Sequence, residues 1–69
     1  MSEFKISLAA ARVNAKMTQE GVSKAIGKSK NTVNNWENGR SIPDFQTMVK
    51  LSEMYKVPID CISLPTNVT

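Results

Sequence analysis

Asn31, Asn34, Asn35 and Asn38 fall within nine residues, with Lys28 and Lys30 at the head of the run. In a major groove a carboxamide can give and accept hydrogen bonds on an adenine edge, lysine can donate to guanine, and both reach phosphate oxygens. These side chains suit recognition of a polyanion better than making or breaking of covalent bonds. Stepped at about 100° per residue on a helix, Lys30, Asn31, Asn34, Asn35 and Asn38 share an arc of roughly 140°. Thr32, Val33, Trp36 and Glu37 take the other side, so Val33 and Trp36 are the expected core anchors.

Such a face is a poor choice for a helix. Each asparagine costs about 0.5 kcal/mol relative to alanine, and Lys28 and Lys30 stand at the end of the helix where the dipole disfavours cations. A merely solvated face would carry better helix formers, with acids first. Local rules broken together point to function. The charge distribution agrees. Residues 1–40 hold seven Lys and Arg against three acids, residues 41–69 hold two against three, and the total is +3. A basic half of a small domain is the footprint of a polyanion partner.

The composition excludes other chemistry. With one cysteine and no histidine in 69 residues, the chain has no intrachain disulfide, zinc finger, Cys-His nucleophile or imidazole acid–base catalyst. No catalytic constellation and no metal or cofactor site can be assembled from what remains. No apolar run is long enough to span a membrane, and the first 16 residues do not read as a leader. A cytoplasmic protein with Cys61 reduced is expected. Cys61 lacks the basic surroundings of a reactive thiol. The four methionines read as gap-fillers.

Several elements must hold the polar face. Phe4, Leu8, Ala11 and Ala15 follow a helical spacing, predicting a first helix over about 4–16. Thr18 is an N-cap for a second helix, with Glu20 in its first turn and Val22, Ala25 and Ile26 as its inner stripe. Gly27 ends it, and Ser29 caps the third helix, about 30–38. Asn38-Gly39 closes that helix. Asp44 caps a fourth, with Phe45, Met48, Leu51 and Tyr55 in its stripe. Val57-Pro58 stops it, and a short fifth turn runs to Ile62. No useful stretch alternates with period two. The expected fold is all-α, a compact bundle of four helices plus a short fifth. One domain should occupy 1–64, with 65–69 as a tail.

Two short helices joined through Gly27 form a helix-turn-helix at about 18–38, whose second helix enters the major groove. Gln19, at the start of the first of these, is placed to bond a phosphate with its amide. The ordered set Met17-Thr18-Gln19-Glu20, Ile26-Gly27, Val33-Asn34-Asn35-Trp36-Glu37-Asn38-Gly39-Arg40 and Ile42-Pro43 resembles the Cro/cI-type (XRE) helix-turn-helix family over about residues 5–64.

That resemblance implies a lambda-repressor-like fold and a bacterial or prophage transcriptional regulator, most commonly a repressor on a palindromic operator. By position it implies base contacts from Lys30, Asn31 and Asn35, with Asn34 a further candidate. It implies backbone contacts from Gln19, Ser29, Asn38 and Arg40, to which Lys28 adds by its place, and it implies that Gln19 also braces the recognition helix. Ser23 and Gly21 depart from the pattern, the first standing where alanine is usual and the second being a weak helix former.

Arg12 falls inside the apolar stripe of the first helix and Glu37 on the inward side of the third. Opposite charges on two core faces are expected to meet, as a bidentate salt bridge that orients the recognition helix. Ile59, Ile62 and Leu64 are expected to expose more apolar surface than a fifth turn can bury in its own chain; with Cys61 they are the candidate contacts of a homodimer. A protein partner, as for an antitoxin or an antirepressor-bound module, is the alternative to operator binding.

Overall fold

The structure, a computed structural model, describes residues 4–65. Four α-helices follow one another: α1 Leu8–Asn14, α2 Gln19–Ile26, α3 Lys30–Glu37 and α4 Phe45–Tyr55. A short 3-10 helix at Ile59–Cys61 comes after α4. Two-residue strands, β1 Ile6–Ser7 and β2 Ile62–Ser63, pair in parallel, Ile6 with Ile62 and Ser7 with Ser63. The architecture is all-α apart from this ribbon.

Each of the four α-helices begins on a side-chain oxygen that accepts the backbone N–H three residues on, satisfying a donor that the helix itself leaves free. Ser7 takes Ala10, Thr18 takes Gly21, Ser29 takes Thr32 and Asp44 takes Thr47, at 2.8–3.1 Å. The bonds from Thr47 hold the Asp44 carboxyl below the usual carboxylate range. Gly27 ends α2 in the left-handed region at φ 74°, and Lys28 N–H bonds the Ser23 carbonyl at 2.9 Å. α4 ends on a left-handed lysine, Lys56, where Ser52 Oγ donates to the Val57 carbonyl at 2.6 Å.

The core draws on all four α-helices and on β2. Leu8 and Ala11 of α1, Val22 of α2, Val33 and Trp36 of α3, Met48, Leu51 and Tyr55 of α4, and Ile62 of β2 form one buried cluster. Burying a side chain of the Val or Leu size contributes about 1.5–3 kcal/mol.

Four expectations are corrected. The first helix starts at Leu8, not near residue 4, because Ile6 and Ser7 extend along β2; Phe4 is exposed. Phe45 lies at a stripe spacing but in the first turn of α4, past the edge of the core, and is 71 % exposed. In α2 the inward position is Ser23, 4 % exposed, while Ala25 faces outward. The Ser23 hydroxyl donates to the Glu20 carbonyl at 2.7 Å, so serine fits the tight helix–helix contact with its polar group satisfied. Finally, the apolar residues after α4 have cover in their own chain. Ile62 is part of the core, and Ile59 and Leu64 pack against it. They look surplus only if the long-range ribbon with Ile6 is not foreseen.

The chain closes back on α3. Gly39 has φ 80°, and a Cβ there would stand 3.2 Å from Pro65 Cβ. The Leu64-Pro65 segment thus seats beside the end of the third helix. The rest of the expected tail, residues 66–69, lies outside the described residues.

Candidate nucleic-acid interface

α2, the turn through Gly27 and α3 form a helix-turn-helix, and Val22 and Val33 anchor its two helices in the core. With Val33 and Trp36 buried, α3 shows its polar arc outward. Lys28, Ser29, Lys30 and Asn31 are exposed at its N-terminal end, Asn35 is half-buried, and Asn38 and Arg40 are exposed beyond its other end. Among the described residues the side chains of Lys28, Lys30, Asn31, Asn35 and Arg40 make no hydrogen bond or ion pair. Their polar atoms are available to a ligand. Ser29 is occupied locally, capping Thr32 and bonding its hydroxyl at 2.9 Å.

Behind this face lies a polar network. Arg12 Nε donates to Glu37 Oε2 at 2.8 Å and Arg12 Nη2 to Oε1 at 3.3 Å, a bidentate pair between α1 and α3 with side chains only 16 % and 7 % exposed. Arg12 Nη1 donates to the Met17 carbonyl at 2.9 Å, tying down the turn before α2. The bond to Glu37 raises the guanidinium pKa further. Close by, burial pushes the Tyr55 phenol up to about 12, with Glu37 adding and Arg12 opposing.

Gln19 completes the network. Its Nε2 donates to Glu37 Oε1 at 2.8 Å and to Asn34 Oδ1 at 3.2 Å. Asn38 Nδ2 donates to the same Asn34 Oδ1 at 3.0 Å and to the Asn34 carbonyl at 2.9 Å. The amide orientations are fixed chemically, because a carboxylate at one end and a backbone carbonyl at the other can only accept. Gln19 and Asn38 therefore have no amide hydrogen left for a phosphate in this arrangement. Gln19 still has its backbone N–H, free at the first turn of α2. The sequence carries no local signal for these bonds, because they depend on how α2 lies against α3.

Two residues that follow Arg40 in the chain, Ile42 and Phe45, are exposed, 67 % and 71 %, which the sequence does not show. Among the described residues there is no group of three or more His, Cys, Asp and Glu able to hold a metal. No described helix is long and apolar enough to cross a membrane.

Comparison with known proteins places this geometry. A helix-turn-helix family profile matches residues 8–60. The chain is 42 % identical over 48 residues to the cryptic phage CTXphi transcriptional repressor RstR of Vibrio cholerae, an alignment covering 70 % of this chain and 43 % of that protein. The chain thus spans under half the length of that relative. No solved structure matches significantly. Residues 8–60 carry the family pattern from α1 through the 3-10 helix, and the chain belongs to the Cro/cI-type, phage-repressor-like helix-turn-helix family of DNA-binding regulators.

Proposed function

We propose that this chain is a transcriptional repressor that binds a palindromic operator as a homodimer, in the bacterial cytoplasm at the nucleoid. The observation that carries the reading is the polar arc of α3. Lys30, Asn31 and Asn35 have uncommitted polar atoms, and the helix bearing them is locked from behind by Arg12, Glu37 and Gln19. Preorganised donors and acceptors on a rigid helix are what base reading requires. Lys28, Arg40 and the backbone N–H groups at the start of α2 would hold phosphates and set register. The similarity to a phage transcriptional repressor supports repression. Two chains would contact half-sites about one helical turn apart, on the order of 34 Å. Sedimentation with and without a bound duplex tests the dimer: two chains per duplex is expected, and one chain on the tightest duplex found would remove it.

Ile42 and Phe45 favour a second reading, in which a protein partner is the main ligand. They are large apolar side chains left in solvent. Substituting both with serine separates the readings. Unchanged DNA repression in cells supports the operator reading, and loss of repression with DNA affinity intact supports the partner.

A further inference from the structure

The four asparagines of the recognition helix are not equivalent. Asn31 and Asn35 have free carboxamides, able to donate and accept together. Asn34 Oδ1 already accepts two bonds, from Gln19 Nε2 at 3.2 Å and from Asn38 Nδ2 at 3.0 Å. A carboxamide oxygen has two lone pairs, so this one is saturated. Asn34 is half-buried, turned toward the start of α2. A side chain without an acceptor cannot make the two-point contact by which asparagine reads adenine.

We propose that Asn34 is a positioning residue and reads no base. It is the joint through which Gln19 of α2 and Asn38 at the end of α3 are held. The polar chain runs from Arg12 to Glu37, Gln19, Asn34 and Asn38, linking α1, α2 and α3. Gln19 and Asn38 spend both of their amide hydrogens inside it. Base reading then falls to Lys30, Asn31 and Asn35, at the angle this chain sets for them. The inference rests on the operator-binding reading and assigns its residues.

Two substitutions test it. Asn34→Asp keeps an oxygen where both bonds are accepted but removes the amide hydrogens. Asn34→Ala removes the acceptor. The unaltered protein and both variants are put through selection from random duplex DNA, with titration of the preferred and a scrambled duplex, and melting of each protein. The aspartate variant should select the same sequence at every position, with both duplexes weakened alike by its added charge. The alanine variant should melt as a folded domain yet lose about tenfold in discrimination, the worth of about one hydrogen bond. A new preference at a single base pair in the aspartate variant would show direct reading by Asn34 and overturn the proposal. So would undiminished discrimination in the alanine variant. If the unaltered protein selects nothing, operator binding itself is wrong and this inference falls with it.

Discussion

Replacing Glu37 by glutamine changes one atom's chemistry at the centre of the network. Three donors converge on this carboxylate: Arg12 Nε at 2.8 Å, Arg12 Nη2 at 3.3 Å and Gln19 Nε2 at 2.8 Å. An amide offers one acceptor and two hydrogens. Turned either way, it sets a donor against a donor, and the Arg12 charge loses its counter-ion. Breaking a buried ion pair from one side costs about 3–5 kcal/mol. Arg12 keeps the Met17 carbonyl and some solvent, which puts the expected loss at the low end, about 3 kcal/mol. A 69-residue domain has a total stability of roughly 3–10 kcal/mol. At about 2.1 cal/mol/K of unfolding entropy per residue, the loss lowers Tm by about 20 °C. Circular dichroism melts of Glu37→Gln beside the unaltered protein give the value directly. Arg12→Met with Glu37→Leu should recover at least half of the loss, because no unpaired charge remains. A Tm for Glu37→Gln within about 3 °C of the unaltered protein would show that the Arg12–Glu37 pair does not hold the fold in this way.

Raising pH should act through Tyr55. Its proton is held up to about 12 in the fold and released near 10 in the unfolded chain. The stabilisation is therefore complete below pH 10 and lost between 10 and 12, on the order of 2 kcal/mol. Urea unfolding across that range should show the fall in the unaltered protein, and Tyr55→Phe should remove it. Gly39→Ala should destabilise by about 1–3 kcal/mol, more than Gly27→Ala. Both glycines have positive φ, but only Gly39 has Pro65 against it; equal losses in thermal melts would remove the Pro65 contact. Asn31→Ala should cost about 1–3 kcal/mol on the preferred duplex and relax one position, whereas Arg40→Ala should weaken all duplexes alike and lower the salt slope by about 1. Titrations at several salt concentrations distinguish the two patterns.

What the sequence reveals depends on the range of the interaction. The caps at Thr18, Ser29 and Asp44 and the stop at Gly27 are legible because each acts within three or four residues. Phe4 misleads because its spacing continues the stripe of α1, while a strand pairing 56 positions away claims Ile6 instead. The same pairing gives Ile62 its cover. Phe45 shows that a stripe position in a first turn can overhang the core. Arg12 and Glu37 stand out in the sequence as charges on apolar faces. The family resemblance implies that Gln19 braces the recognition helix, but its partners Glu37 and Asn34 do not stand out, since a polar residue on a polar arc looks free until the helix beside it is placed.

The central claim is sequence-specific DNA binding, and selection from a random duplex pool at near-physiological salt tests it most directly. An enriched two-fold palindrome with half-sites about one helical turn apart is expected. Recovery of no sequence, with only salt-sensitive binding to all duplexes, would contradict it.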